Sequence, residues 1–244
     1  MNVVLLVALC LMIVAFLYAS VGHGGASGYI AIMSLFNISV AIYKPIVLIL
    51  NIVIAGIAFV QFYRAGYFRW RLCWPFIVSG IPFAFLGSRV ALQGKLYNLL
   101  LGIALIFPII RLLGFNPSSE KEMKAVPLGL ALLIGAGIGF VAGMLNIGGG
   151  IFLSPVIILM AWANAKEAAA VSSLFIVCNS LSGLIASSNL PSAFNTTFYL
   201  WLGTAMAGGI LGSYLGSRNF KNITVQYLLA AVLSIACIKL IFLM

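Results

Sequence analysis

The most constraining feature of this sequence is a succession of long apolar runs separated by short loops. Each run has about 17–25 residues, the length that a helix needs to cross a ~30 Å hydrocarbon core. Only 7% of the residues are charged, against roughly a quarter in an ordinary soluble domain. The sequence therefore predicts an all-α, polytopic membrane protein in the lipid bilayer. The runs fall near 2–20, 40–63, 74–91, 97–113, 126–145, 168–188, 198–216 and 225–243.

The net charge of +10 comes from thirteen lysines and arginines that are scattered over the loops. Basic loops follow from the positive-inside rule of membrane proteins, whereas nucleic-acid binding needs a basic cluster on one soluble face. We therefore expect no nucleic-acid partner. The four cysteines lie far apart without CxxC spacing, and the chain has one histidine, so we expect no metal site and no cofactor.

Two glycine-rich breaks interrupt the apolar sequence. The stronger break contains Gly148, Gly149 and Gly150, and the weaker one contains Gly24 and Gly25. Short apolar pieces follow at 149–162 and 25–36. A helix over 149–162 would be only about 21 Å long, so it should begin inside the membrane after an unwound stretch. Irregular backbone at that depth is tolerated where it lines a cavity or is buried in protein.

The chain also contains an internal repeat. The tetrapeptide Leu-Gly-Ser-Arg occurs at 86–89 and again at 215–218. In the same order, Asn51 corresponds to Asn179, and the glycine pair at 24–25 corresponds to the pair at 148–149. The most hydrophilic stretch, 116–124, lies between the copies. We therefore expect a first repeat at 1–113, a polar linker at 114–125 and a second repeat at 126–244.

Loop charges favour an inverted arrangement of the two repeats. If the short pieces do not cross, each repeat has four spans, and the basic residues divide seven to six between the two sides. If they cross, each repeat has five membrane elements, namely four full spans and one short helix after a break, and the second repeat is inverted. The basic residues then divide nine to four, which puts the nine in the cytoplasm and both termini outside. The nine are Arg64, Arg69, Arg71, Arg111, Lys121, Lys124, Lys166, Arg218 and Lys221.

The breaks are suited to bind an anion. A helix that starts at such a glycine presents unpaired N–H groups and the positive end of its dipole. Two starts related by inversion would face each other near the midplane, as in transporters with broken helices. The predicted spans contain no Asp or Glu, which a cation site would normally use. The candidate substrate-binding residues are Asn146, Gly148, Gly149, Gly150, Ser154, Ser172, Ser173 and Asn179 in the second repeat, and His23, Gly24, Gly25, Ser27 and Asn51 in the first.

Small residues in membrane helices also serve close packing. We interpret two stripes with a spacing of four residues in this way, because each stripe shares one helix face. Three consecutive glycines cannot share a face, so the run at 148–150 is assigned to the site. His23 could carry a proton, donate to the anion or cap a helix, and Lys44 is expected to snorkel to the surface. The stripes are Gly208, Gly212 and Gly216, and Gly80, Ala84 and Ser88.

A different class of function is an intramembrane serine protease. The stretch 25–28, Gly-Ala-Ser-Gly, resembles the Gly-x-Ser-Gly nucleophile motif of rhomboids. Such an enzyme needs a histidine on another helix to activate the serine, yet His23 lies only four residues before Ser27. The other alternative is a membrane scaffold without transport. We favour a transporter over both and expect no enzymatic activity.

The glycine run followed by Pro155, and then Ser172-Ser173-Leu174, resembles the TauE/SafE sulfite exporters, also called toluene sulfonate uptake permeases. The resemblance covers nearly the whole chain, although the first repeat departs from it at Ala26 and Lys44. It implies a carrier for sulfite, thiosulfate or organosulfonates such as sulfoacetate across a bacterial inner membrane. We therefore expect a secondary transporter with alternating access, coupled to protons or to the gradient of the anion itself.

Overall fold

The structure is a computed structural model that describes residues 3–36, 38, 40–90, 106, 123–186 and 195–221, and residues 223, 224, 227, 228, 231 and 234. Among these residues the secondary structure is helical, with no β-strand. The all-α prediction is therefore confirmed. In chain order the helices are α1 (Val3–Ser20), α2 (Ala26–Leu35), α3 (Val40–Arg64), α4 (Trp70–Ser88), α5 (Leu128–Leu145), α6 (Gly150–Leu159), α7 (Ala165–Ala186) and α8 (Thr196–Tyr214), followed by a π-helical turn, Leu215–Asn219.

Five of the described helices are long and apolar enough to cross a membrane: α1, α4, α5, α7 and the Pro45–Arg64 part of α3. Helix α8 has 19 residues, but its glycines, threonines and tyrosines lower its hydropathy below that of the five. These spans make the chain a multi-pass membrane protein. The predicted span 97–113, most of 225–243 and most of the 114–125 linker lie outside the described residues, as does the Lys44 side chain.

The helices break at both glycine-rich stretches, as predicted. Between α5 and α6, the φ angles of Asn146, Gly148 and Gly149 are 54°, 73° and 82°. Between α1 and α2, those of Gly22 and Gly25 are 77° and 96°. Glycine adopts this left-handed backbone without steric cost, so it ends helices that the apolar sequence would otherwise continue. Helices α2 and α6 have 10 residues each, which is about 15 Å, or half of the hydrocarbon core.

Small residues bring two pairs of helices into backbone contact, α1 with α8 and α4 with α5. A Cβ atom added to any of five glycines in these pairs would collide with the backbone of the facing helix. The predicted packing role of the two small-residue stripes is thereby confirmed. Both pairs run parallel, because the residue numbers rise together along the contact. The facing residues are Gly208 with Met12, Gly212 with Phe16, Gly216 with Ser20, Gly139 with Gly80 and Gly143 with Ala84.

Polar contacts join several segments at one end of the bundle. Arg69 Nε, just before α4, pairs with Glu167 Oε1 in the first turn of α7 at 3.1 Å. Lys166 Nζ donates to the Ser217 carbonyl, just after α8, at 3.1 Å. The segments 64–71, 123–125, 160–167 and 215–221 form what we call the basic end.

Helices α1 and α5 start at opposite ends of the bundle. Helix α8 finishes at the basic end and α1 runs parallel to it, so α1 starts at the far end. Helix α5 starts at the basic end, where the Lys124 N–H donates to the Ala161 carbonyl at 2.9 Å and Lys124 shares a cleft with Arg69.

Candidate functional site

The two glycine-rich breaks meet inside the bundle at one small cavity. Its volume is about 10 Å³, enough for about one water molecule. Three isoleucines form the apolar part of its wall, and hydroxyl, imidazole and amide groups form the polar part. The start of α2 and the break before α6 therefore lie together, as the sequence predicts. The lining residues are Tyr18, His23, Gly24, Gly25, Ala26, Ser27, Asn51, Ile147, Ile151 and Ile176.

Asn51, in the middle of α3, connects the two halves of the chain. Its Oδ1 accepts a hydrogen bond from the N–H of Ala26, the first residue of α2, at 3.2 Å. Its Nδ2 donates to Ser180 Oγ in α7 at 2.8 Å. A Cβ atom at Gly24 would overlap the Asn51 amide, and one at Gly148 would lie 2.6 Å from Asn51 Nδ2 and 2.7 Å from Ser180 Oγ. Glycine at both positions therefore lets the backbone of each break approach this amide.

His23 forms the second polar connection between the halves. Its Nε2 lies 3.0 Å from Ser154 Oγ in α6, and Ser154 Oγ donates to Ser172 Oγ in α7 at 2.7 Å. Because the Ser154 proton is used in that second bond, Ser154 accepts from His23, which places a proton on Nε2. His23 Nδ1 is buried and has no hydrogen-bond partner among the described residues. The imidazole thus has one nitrogen held in place and one available to a further partner.

Ser27 is hydrogen bonded to a tyrosine and not to the histidine. Its Oγ lies 2.8 Å from the hydroxyl of Tyr18, near the end of α1, while the Nε2 of His23 contacts Ser154. A serine nucleophile needs a base within hydrogen-bond reach. Ser27, the serine of the Gly-Ala-Ser-Gly stretch, therefore has no contact with the histidine that would have to activate it.

Three of the predicted glycines contact the site without facing Asn51. A Cβ atom at Gly25 would collide with the ring of Tyr29, and one at Gly150 would collide with the side chain of Ile176. Gly149 is the residue before α6, and a Cβ atom there would lie 2.8 Å from Ala142 Cβ in α5. Because Ile176 lines the cavity, a side chain at Gly150 would displace the cavity wall.

Five of the thirteen predicted residues, His23, Gly24, Gly25, Ser27 and Asn51, line the cavity. The other eight do not, among them Asn146, Ser173 and Asn179. Asn146 ends α5 in a left-handed conformation. Ser173 Oγ donates to the Ala170 carbonyl one turn earlier in its own helix, at 2.8 Å, which is a common role for serine in membrane helices. Asn179 is buried, neither of its amide atoms is hydrogen bonded to a described residue, and its Oδ1 lies toward Gly80 of α4.

Sequence reasoning missed Tyr18 as a site residue and did not predict the pairing of Ser180 with Asn51. Tyr18 precedes the first break within a uniformly apolar helix, so only its hydroxyl marked it as unusual. Ser180 directly follows Asn179, and its pairing with Asn51 depends on how α3 and α7 are placed against each other. A buried tyrosine hydroxyl usually has a hydrogen-bond partner. This rule could have indicated that the Tyr18 hydroxyl binds a polar group near the first break.

The electrostatic character of the cavity comes from dipoles, because none of the described residues that line it is Lys, Arg, Asp or Glu. The nearby helix starts of α2 and α6 contribute N–H groups and the positive ends of their dipoles. Glu167, the acid among the described residues, is paired with Arg69 at the basic end. The cavity therefore offers hydrogen-bond donors and partial positive charge, which suit an anion.

The comparisons with known proteins agree with this architecture. The family model described as "Sulfite exporter TauE/SafE" matches residues 7–242. A relative from Sinorhizobium fredii (strain NBRC 101917 / NGR234), described as "Probable membrane transporter protein y4hK", is 34% identical over 239 residues, which cover 96% of this chain and 97% of the relative. No solved structure matches the chain. The chain therefore belongs to the sulfite exporter TauE/SafE family.

Proposed function

We propose that this membrane transporter is a secondary carrier for a small sulfur-containing anion, such as sulfite, thiosulfate or an organosulfonate. The observation that carries the proposal is the meeting of two broken helices at one cavity without a charged side chain. Fixed N–H groups and helix dipoles bind anions, and they do not require a buried cation in the protein. The sulfur chemistry is taken from the description of the family.

The polar groups at the cavity have distinct roles in this proposal. The Tyr18 and Ser27 hydroxyls and the Asn51 amide donate to the oxygens of the anion, and the glycine backbone approaches it closely. The free nitrogen of His23 accepts a proton for coupled transport. When both nitrogens are protonated, His23 keeps its bond to Ser154 and gains a donor for the anion.

Alternating access follows from the size of the cavity. A space of about 10 Å³ holds about one water molecule, and an oxyanion with three oxygens is larger. Binding therefore requires the two breaks to separate. Because Asn51–Ser180 and His23–Ser154 are the hydrogen bonds that cross between the halves at this point, we expect them to break and re-form in the transport cycle.

The two halves are proposed to be inverted repeats of five membrane elements each. In support, the first helix of each half packs against the fourth of the other, α1 with α8 and α5 with α4. Helices α1 and α5 also start at opposite ends. A parallel repeat would put Lys166 on the side opposite the loop 64–71, whereas the neighbouring Glu167 pairs with Arg69. By the positive-inside rule, the basic end faces the cytoplasm of a bacterial inner membrane and the N-terminus lies outside.

Flux measurements test the proposed function. Purified protein in proteoliposomes should take up at least one of labelled sulfite, thiosulfate and sulfoacetate with saturable kinetics. Uptake measured with and without a pH gradient then identifies the driving force, because proton coupling predicts faster uptake when the gradient is imposed. If none of the three anions moves faster than in empty liposomes, the carrier proposal is wrong and a scaffold without transport becomes the better explanation.

A further inference from the structure

Two large clefts lie at the basic end, apart from the cavity between the breaks. One has a volume of about 560 Å³ and is lined by residues 69–72 at the start of α4 and 124–126 before α5. The other has a volume of about 640 Å³ and is lined by residues between 124 and 130 and by 159–162 after α6. Both include Lys124, Ala125 and Trp162. They are therefore neighbouring lobes of one region, which we name the Lys124 cleft.

Among the described residues, the Lys124 cleft carries positive charge without an acidic side chain in its lining. Arg71 and Lys124 line it, both are exposed, and neither forms an ion pair or a side-chain hydrogen bond with a described residue. Two other cations at this end are engaged, since Arg69 pairs with Glu167 and Lys166 donates to a carbonyl. No acidic side chain is among the described residues that line the cleft. Arg71 and Lys124 are therefore placed to bind a phosphate group.

The second lobe continues the cleft along an apolar surface. Leu130 and Met160 line it and are 36% and 39% exposed, beside Leu159. Trp70, at the start of α4, is 59% exposed, and the ring of Trp162 forms a buried wall shared by both lobes. Tryptophan is enriched where membrane helices meet the headgroup layer. The cleft therefore combines cations at the helix ends with an apolar surface that continues toward the hydrocarbon.

We propose that the Lys124 cleft binds one anionic glycerophospholipid. The headgroup phosphate lies between Arg71 and Lys124, and an acyl chain lies along Leu130, Leu159 and Met160. Basic pockets at the ends of membrane helices bind such lipids through charge, and burial of an acyl chain adds affinity that a soluble anion cannot gain. The bound lipid would bridge the start of α4, the start of α5 and the end of α6. This proposal rests on membrane insertion alone and is independent of the transported substrate.

The test uses delipidated protein titrated with phosphatidylglycerol or phosphatidylcholine and followed by native mass spectrometry and thermal unfolding. We expect phosphatidylglycerol to bind and to raise the unfolding temperature, and phosphatidylcholine to do neither. Replacing both cations, Arg71→Gln with Lys124→Gln, should weaken phosphatidylglycerol binding by roughly thirtyfold, from about fivefold per basic residue. The matched control is Arg64→Gln with Lys221→Gln, an exposed arginine and lysine at the same end but outside the cleft. The control should bind like the wild type.

Three outcomes would overturn the proposal. Equal loss of binding in both double variants would mean that the total positive charge of the basic end attracts the lipid, and not a specific site at Arg71 and Lys124. Equal binding of both lipids would mean that attraction between a net negative headgroup and the two cations does not determine binding. Stabilisation by glycerol phosphate as strong as that by phosphatidylglycerol would identify a soluble-anion site in place of a lipid site. All four substitutions are at exposed side chains, so each variant should elute as a folded protein in size-exclusion chromatography.

Discussion

Replacing Gly148 with alanine is expected to reduce anion uptake by at least about tenfold while the protein remains folded. The φ angle of Gly148 is +73°, where other residues cost about 1–3 kcal/mol. The added Cβ would also lie 2.6 Å from Asn51 Nδ2 and 2.7 Å from Ser180 Oγ, so it would press on the contact that joins the halves. Uptake in proteoliposomes measures the effect.

The matched control for this prediction is Gly137→Ala. Gly137 lies in α5, where an added Cβ meets no atom within 4 Å. Size-exclusion profiles and unfolding temperatures of both variants establish that they are folded. Wild-type uptake by Gly148→Ala would mean that the glycine run serves helix packing and not the transport site.

Replacing Asn51 with aspartate has the second large expected effect. The two side chains have nearly the same shape, and carboxylate oxygens can accept from both the Ala26 N–H and the Ser180 hydroxyl. The connection between the halves is therefore kept, while a negative charge is added to the cavity. Two like charges about 4 Å apart repel by about 4 kcal/mol at an effective dielectric constant of about 20. We expect anion uptake at neutral and alkaline pH to fall by at least about a hundredfold.

The control for Asn51→Asp is Asn195→Asp. Asn195 caps α8, where its Oδ1 accepts from the Phe198 N–H at 3.0 Å, and aspartate caps helices equally well. This variant adds the same charge outside the cavity lining and should transport like the wild type. If Asn51→Asp also transports at the wild-type rate, the substrate does not pass Asn51 as an anion.

Much of the described fold could be predicted from the sequence, because membrane insertion leaves few alternatives. Backbone groups in lipid must be satisfied within helices, so apolar length alone located the spans. Glycine runs located both breaks, and α6 begins at Gly150, one residue from the expected start. A spacing of four residues identified Gly208, Gly212 and Gly216 as packing residues, and they contact the α1 backbone. These features depend on local sequence.

The pairings within the site could not be predicted, because they depend on how helices from different halves are placed. Asn51 and Asn179 are equivalent in the repeat, and the sequence suggested equal roles. In the structure, Asn51 joins α2 and α7, whereas Asn179 lies toward Gly80 without a hydrogen bond. The departure from symmetry arises from the rotation and translation of α3 and α7, which no local pattern encodes. The Tyr18–Ser27 bond and the small size of the cavity have the same origin.

Equilibrium binding of labelled sulfite, thiosulfate and sulfoacetate to purified protein tests most directly whether the two breaks form the anion site. Binding isolates the site from the conformational steps of transport. We expect saturable binding of at least one of these anions to the wild type, and loss of that binding in both Gly148→Ala and Asn51→Asp. Saturable binding that both variants retain would instead mean that the anion binds away from the two breaks.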